Sequence, residues 1–422
     1  MKRIITLTFA ALLLVGCAGN VASHPAATAA TKATETVAPS EEPTWNVYDS
    51  NPAHIWNRVF HLLYSRTASD GKEYGLGELD PLVWFDTTYL LTEPSHQRAL
   101  QVLNEFLATH AENLIKNPLK RAMFQRDLWA VFDWLASQTD PYPSQRRALE
   151  MRLAQIIRRV ALTREQIISL PDNYALAVQS NAFPANFQAD NIQAAFLPAD
   201  LFQPNSPWIP MGREGGPIAM AHTEAAPFFG RSVFLVFVQS PDGRTGTLDF
   251  IHSLNENPHP TLATGSDVAL VRRMLLIDDE GDLVLSPLVE TVQIRHFAPE
   301  QIFHEFELDR MRLLNRSINT LNLNTALFLL FSSHGDVFQN PGLPRLQATI
   351  PDICRGCHLL AGAVVDRGNI ASILSYSRAS FPLPDNQKPV LLATNWESEA
   401  GNVKNWKMNN MTWKSLKSLW NQ

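Results

Sequence analysis

Apolar side chains recur every three or four residues in two stretches of the chain, SHQRALQVLNEFLATHAENLI and RDLWAVFDWLASQ. This spacing gathers apolar side chains on one side of a helix, so both stretches are predicted to be amphipathic helices. A third helix is expected after Pro143, with Ser144 as its N-cap. A fourth, shorter helix is expected at Thr163-Arg-Glu-Gln166, which has the sequence of a capping box. Together they predict a packed helical region over residues 46–170. The arginines of the third helix are expected on its solvent side: Arg146, Arg152, Arg158 and Arg159.

Extended stretches dominate the middle of the chain. Residues 233–238 and 247–251 flank Ser-Pro-Asp-Gly and predict two strands joined by a tight turn. Residues 268–277 and 283–285 predict a second pair around the acidic turn Asp278-Asp-Glu-Gly-Asp282, where a solvated turn is favoured over a calcium site. Residues 175–230 are loop-like, and a helix is expected from Pro299 to about Leu330. The result is a mixed, β-rich region over 171–340.

The C-terminal part is predicted to be small and mainly helical. Trp413, Leu416, Leu419 and Trp420 share one helical face. With the regions before it, residues 341–422 complete an α+β fold. Roughly 375 residues are more than one core usually serves, so two or three domains are expected.

Composition narrows the function classes. The 422 residues are 45% hydrophobic and 18% charged, with a formal net charge of −6. These values are typical of an ordinary globular protein, and the negative charge argues against a nucleic-acid partner. No stretch after Cys17 approaches eighteen apolar residues. The sequence contains no GxSxG, HExxH or phosphate-binding glycine loop, so no enzyme class is supported.

The N-terminus, MKRIITLTFAALLLVGC, has two basic residues and a short apolar run, as secretory signals do. Leu14-Val-Gly-Cys17 resembles the lipobox of bacterial lipoproteins. That resemblance implies cleavage of residues 1–16, lipid modification of Cys17 and, since Ala18 follows, an outer-membrane position facing the periplasm. Residues 17–45 are rich in Ala, Thr, Pro and Ser and are expected to be a disordered tether.

Two of the three cysteines fall within Cys354-Arg-Gly-Cys357-His358. Exported cysteine pairs form disulfides, bind metals, act as redox dithiols or attach cofactors. The chain offers no second pair of ligands for a zinc site and no strong strand before the motif for a thioredoxin-like site. A disulfide between the two cysteines would close only a very short loop and contribute little stability. C-x-x-C-H is the signature of covalent haem attachment, and this reading is favoured.

At these residues the chain resembles a c-type cytochrome. The resemblance implies one haem c, with thioether bonds to Cys354 and Cys357 and with His358 as the axial iron ligand. Met408 or Met411 is the candidate sixth ligand, with packing as the alternative role. His222, His304 and His334 are further candidates without a motif. His54 and His61, seven residues apart, are expected to be ordinary core histidines.

The chain also departs from small cytochromes. Pro344 and Pro351 precede the motif where those proteins usually have a helix. A covalent haem is therefore expected without the standard cytochrome fold, and the middle β region is an alternative packing surface for it.

These observations favour a membrane-anchored electron carrier of the cell envelope over an enzyme with its own substrate. A mildly basic C-terminal region, with eight basic and five acidic residues over 351–422, would suit an acidic redox partner. A haem enzyme or sensor with an open sixth position, peroxidase-like, stays an alternative. So does a non-haem binding lipoprotein with a Cys354–Cys357 disulfide.

Overall fold

A seven-stranded antiparallel sheet and the helices packed on it form the centre of the protein in our computed structural model. The structure describes residues 46–67, 73–77, 79–80, 88–138, 141–180, 197–225, 228–256, 262–297, 302–315, 326–330 and 391–420. Residues 44–422 make up one compact unit. The combination of helices and an antiparallel sheet confirms the predicted α+β class.

The described helices are α1 (Ile55–Tyr64), α2 (Ser95–Ala108), α3 (Pro118–Ser137), α4 (Pro143–Arg159), α5 (Arg164–Ile168), α6 (Asn173–Ser180), α7 (Met220–Glu224), α8 (Gly243–Glu256), α9 (Arg310–Asn315), α10 (Trp396–Asn409) and α11 (Met411–Trp420). Two 3-10 turns lie at Tyr89–Leu91 and Ala111–Asn113. Every side chain from Ala122 to Leu135 in α3 is buried. α3 is thus the central helix of the helical layer. In the described part of the chain, no helix combines the length and apolar character needed to cross a membrane.

The strands are β1 (Arg66–Thr67), β2 (Glu73–Tyr74), β3 (Ile209–Arg213), β4 (Ser232–Gln239), β5 (Asp267–Ile277), β6 (Leu283–His296), β7 (Ile302–Leu308), β8 (Phe328–Leu330) and β9 (Leu391–Ala393). β1 and β2 form a small hairpin, and the large sheet has the order β8-β7-β6-β5-β4-β3-β9. Its neighbouring strands pair antiparallel throughout. β8 and β9 are therefore its opposite edges.

The two faces of the sheet carry different side chains. On the first face, Val233, Leu235 and Phe237 join the main core with the helices. On the second face, Phe234, Val236 and Val238 alternate with them and pack in a separate apolar cluster with α8. This alternation of side chains is the ordinary consequence of strand geometry.

The predicted strand over 247–251 is wrong, because these residues lie in α8. A five-residue window could not reveal that Ile251 and Leu254 are three apart and buried together, as in a helix. Thr247 also supports the turn into the helix, since its Oγ1 accepts from the N–H of Ser240 at 2.9 Å. The strand over 233–238 and the hairpin of β5 and β6 are confirmed.

Within the described residues, the helix predicted from Pro299 to about Leu330 is confirmed at α9, and residues 299–301 and 316–325 lie outside the described residues. Residues 302–308 form β7, where apolar and polar residues alternate and pair with the end of β6, and 328–330 form β8. Likewise the stretch 175–230, expected to be loop, contains β3, α7 and most of α6. β3 pairs with the distant strand β9, which the local pattern does not show, whereas β7 pairs with the preceding strand β6.

The helical region follows its predicted pattern with one correction, the N-cap of α4. The capping box at Thr163 is present in both directions, through Gln166. The N-cap of α4 is Tyr142, not Ser144, with Pro143 as the first helical residue. The arginines of α4 lie on its solvent side as predicted, and each also donates to a neighbouring segment: Arg146 to Gln138 O, Arg152 to Asn104 Oδ1, Arg158 to Trp420 O and Arg159 to Leu107 O.

The acidic turn between β5 and β6 is solvated as predicted at Asp279, Glu280 and Asp282, which are exposed, whereas Asp278 is held in place. Asp278 is buried, and its Oδ1 accepts from the N–H of Asp282 at 2.7 Å. Arg164 approaches Asp278 Oδ2 at 3.1 Å, and Lys417 donates to Gly281 O at 2.9 Å. Arg164 therefore pairs with the buried carboxylate of this turn.

Candidate haem site and the buried charge cluster

The residues predicted to hold the lipid and the haem, Cys17, Cys354, Cys357 and His358, lie outside the described residues. Of the predicted iron ligands, the structure places the two methionines. Met408 is the penultimate residue of α10, and Met411 is the first residue of α11. Their exposed fractions are 46% and 74%, so neither is a core residue.

The junction of α10 and α11, which carries both methionines, is anchored on either side. Asn395 caps α10 by accepting from the N–H of Ser398 at 2.9 Å. The buried carboxylate of Glu399 accepts from the N–H of Ile218 at 2.7 Å, and burial raises the pKa of this carboxyl. Trp413 packs against Trp129 of α3 with ring centroids 5.9 Å apart. Met408 and Met411 therefore lie at the surface of a helix junction whose two helices are anchored to the rest of the fold.

The candidate histidines are dispersed. His54 is the N-cap of α1 and accepts from the N–H of Trp56 at 3.3 Å. His61 is exposed and lies 2.7 Å from Glu73, so the expected core role of this residue is wrong. His222 lies beside the ring of Phe234, His304 is half-buried on β7, and His334 is outside the described residues. Among the residues described, no three His, Cys, Asp or Glu side chains are grouped to hold a metal ion.

The main polar feature of the described interior is a set of seven buried charged residues, which we name the charge cluster. Its members come from the segment before α2, from α3, from β4 to β6 and from α10: Asp80, Arg126, Asp133, Arg231, Arg272, Glu290 and Lys407. Arg231 immediately precedes β4. The cluster thus joins residues up to 327 positions apart in the sequence, from Asp80 to Lys407.

Asp80 is at the centre of the charge cluster. Its Oδ1 accepts from Arg126 Nη2 at 2.8 Å and Arg231 Nη2 at 3.2 Å, and its Oδ2 accepts from Arg272 Nη2 at 2.6 Å. Burial alone would raise the pKa of Asp80, but the three guanidinium groups hold it well below its ordinary value. Asp80 is therefore ionised throughout the neutral range.

Glu290 and Asp133 extend the charge cluster in two directions. Glu290 accepts from Arg126 Nε at 3.0 Å and Arg272 Nε at 2.9 Å, as well as from the Ser232 hydroxyl. Asp133 Oδ2 accepts from Arg231 Nη1 at 2.8 Å and from Lys407 Nζ at 2.6 Å. Burial lowers the pKa of Lys407 to about 8, although Asp133 opposes that change.

A second buried group lies beside the charge cluster on α3. Asp127 accepts from the Tyr48 hydroxyl and from Arg310 Nη1 at 2.5 Å. The Arg310 guanidinium lies over the Phe60 ring at 4.6 Å. Burial raises the pKa of Asp127 to about 6, although Arg310 favours the ionised form.

The charge cluster is closed to substrates. Its side chains are at most 5% exposed, and its carboxylates already accept from cations. We therefore interpret it as the polar connection between helical layer, sheet and C-terminal helices. The charge cluster was not predicted from the sequence, although charged residues within the apolar stretch of α3 are a signal that this helix buries charges.

Comparisons with protein-family models, with curated proteins and with solved structures give no match to this chain.

Proposed function

We propose that this protein is a lipid-anchored, c-type cytochrome-like carrier of one covalent haem that transfers single electrons in the cell envelope. The observation that carries the proposal is the pentapeptide Cys354-Arg-Gly-Cys357-His358. Two cysteines at this spacing suit the two vinyl groups of haem, and the histidine that follows suits the iron.

The distribution of cysteines supports the proposal. The chain has three cysteines, two within the motif and one at the end of the exported leader. Each therefore has an assigned chemistry, thioether formation at Cys354 and Cys357 and lipid attachment at Cys17. Haem attachment of this kind takes place beyond the cytoplasmic membrane, which agrees with an exported chain.

The exposure of Met408 and Met411 fits the proposed ligand role of one of them. A thioether that fills the core is unavailable to iron, whereas these two lie at the surface of a corner whose helices are anchored. A methionine opposite a histidine raises the reduction potential of haem, as suits an electron carrier.

Charge supports an acidic redox partner. Of the charged residues over 351–422 that the structure describes, Lys407 and Glu399 are buried and contribute nothing to the surface. Removing one charge of each sign leaves the basic excess of this region unchanged. Such an excess would steer an acidic partner towards the haem.

The first test compares absorption spectra of chains matured in cells with the haem-attachment machinery. The parent chain is expected to give a pyridine haemochrome spectrum typical of two thioether bonds. A Cys354→Ala/Cys357→Ala variant should lose covalent haem but keep its membrane association. The matched Cys17→Ala variant should keep covalent haem but lose its membrane association. A parent chain without haem would refute the proposal and leave the disulfide alternative.

A second test identifies the sixth ligand and separates carrier from enzyme. If Met408 or Met411 binds iron, its replacement by alanine abolishes the methionine–iron charge-transfer band, while replacement of the other leaves the band intact. An unchanged band in both variants would exclude both residues. Carbon monoxide binding to the reduced parent chain would instead reveal an open site and favour the enzyme or sensor alternative.

A further inference from the structure

Two histidines lie on neighbouring strands at one end of the large sheet. His296 is the last residue of β6, and His304 lies near the start of β7. The strands pair antiparallel, with Ile294 opposite His304 and Ile302 opposite His296. Residues two apart on a strand share a face, so His296 and His304 are diagonal neighbours on one face. Diagonal neighbours lie at most about 7–8 Å apart, within reach of aromatic and long side chains.

This pair of histidines is open to small solutes. It lies on the first face, because Ile294, which shares its face, packs against the main core. The side chain of His296 is 41% exposed, and His304 is half-buried. The pair therefore lies where the core meets solvent.

A carboxylate orients one of the two imidazole rings. Asp267 of β5 lies opposite His296, and its Oδ1 is 2.7 Å from His296 Nδ1. When Nδ1 donates to this carboxylate, the lone pair of the neutral ring is on Nε2. Histidines that bind metals usually make this hydrogen bond, which fixes the ring and its tautomer. His296 thus has the arrangement of an oriented metal ligand.

The second imidazole is in the protonation state that metals require. Burial lowers the pKa of His304, and the neighbouring His296 lowers it further. His304 is therefore neutral at pH 7, and a neutral imidazole is the form that binds a metal ion. The influence of His296 on this pKa also shows that the two rings are close in space.

We propose that His296 and His304 bind one divalent late transition-metal ion, with Asp267 as the positioning residue for His296 and with water in the remaining coordination positions. Imidazole suits zinc, copper and nickel in this class. The site uses two protein ligands, so it does not need the grouping of three ligands that is absent from the described residues. It is also independent of the proposed haem, because it uses none of the motif residues.

Calorimetric titration of the full chain with Zn²⁺ tests the site. The parent chain should bind one Zn²⁺, and His296→Ala and His304→Ala should each abolish saturable binding. The matched control is His252→Ala, which removes an exposed histidine of α8 and should leave the affinity unchanged. Circular dichroism checks that each variant is folded. Repeating the titrations in the Cys354→Ala/Cys357→Ala background keeps the motif cysteines from binding the metal.

Asp267→Ala separates positioning from ligation. Loss of the orienting carboxylate should weaken Zn²⁺ binding by about 10–100-fold. The electron paramagnetic resonance spectrum of bound Cu²⁺ should show two nitrogen ligands in both the parent chain and this variant. If His296→Ala does not fold, His304→Ala and Asp267→Ala still provide the test.

Three outcomes would overturn the site. They are the absence of saturable Zn²⁺ binding by the folded parent chain, an unchanged affinity in the folded histidine variants, and loss of binding in the Cys354→Ala/Cys357→Ala background. The last outcome would assign the metal to the motif cysteines. Saturable binding in that background by a parent chain that lacks haem would refute the haem and keep this site.

Discussion

Asp80→Asn should be among the most destabilising single changes in this protein. The change keeps the shape of the side chain but removes the anion that Arg126, Arg231 and Arg272 share. Arg126 and Arg272 would keep their ion pairs with Glu290, and Arg231 would keep its ion pair with Asp133. The charge cluster would nevertheless lose one negative charge, which leaves one more positive charge without compensation. Breaking a buried ion pair from one side costs about 3–5 kcal/mol.

The magnitude is large because a folded domain is stable by only about 5–15 kcal/mol. The matched control is Glu105→Gln. Glu105 pairs with Arg58 through two short contacts of 2.6 and 2.8 Å, but both side chains are more than one third exposed. Exposed ion pairs contribute about 0.2–1 kcal/mol to stability. Both ion pairs have short contacts, so a difference in the loss of unfolding free energy between the two variants would reflect burial and not contact distance.

Urea unfolding at pH 7 measures both variants against the parent chain. The reasoning is refuted if Asp80→Asn lowers the free energy of unfolding by no more than Glu105→Gln does. A pH series adds an independent check. The pKa of Asp80 is lowered in the folded state, so its contribution is present above the unfolded pKa of about 4 and is lost as the pH falls further. The gap between parent and Asp80→Asn should therefore narrow below about pH 4.

Three further changes test other contacts. Gly230→Ala should destabilise the fold by about 1–3 kcal/mol, because Gly230 has a φ of +66° and a Cβ there would lie 2.7 Å from the Trp406 ring. An unchanged midpoint of urea unfolding would contradict this prediction. Gly401→Ala, within α10 and with open space for a Cβ, should instead stabilise by about 0.5–1 kcal/mol, and a lower melting temperature would count against it. The pKa of Lys407 is about 8 in the folded chain, below its value of about 10.4 in the unfolded chain. Between these pH values the unfolded chain binds more protons than the folded chain. The free energy of unfolding should therefore rise by about 3 kcal/mol as the pH increases across that range. Lys407→Met should lack that rise, and an equal rise in both chains would show that another group titrates.

Local patterns were reliable where a helix or strand is long and one-sided. α2, α4 and α11 follow their apolar spacing, and the capping box at Thr163 fixes the start of α5 through contacts within four residues. Patterns failed at β7 and α8, where a short apolar run fits more than one periodicity. Pairing with β6 decides the conformation of β7, and packing against the second face of the sheet decides that of α8. The local pattern displays neither contact.

The candidate site divides in the same way. Cys17, Cys354, Cys357 and His358 could be proposed from the sequence because covalent attachment requires fixed residue types at fixed spacing. Met408 and Met411 were found only as candidates, since a distal ligand can come from any position that the fold brings to the iron. Their exposure at the α10–α11 corner followed from the structure.

The sequence by itself predicts chemistry carried by neighbouring residues: the proposed leader, the proposed lipidation at Cys17 and the proposed haem attachment at Cys354 and Cys357. Only the tertiary structure decided that Asp80, Arg272 and Lys407 belong to one buried cluster. The physical reason is the distance along the chain over which each interaction acts. A covalent motif acts over a few bonds, whereas a buried charge is stable only where distant segments bring it compensating charges and hydrogen bonds.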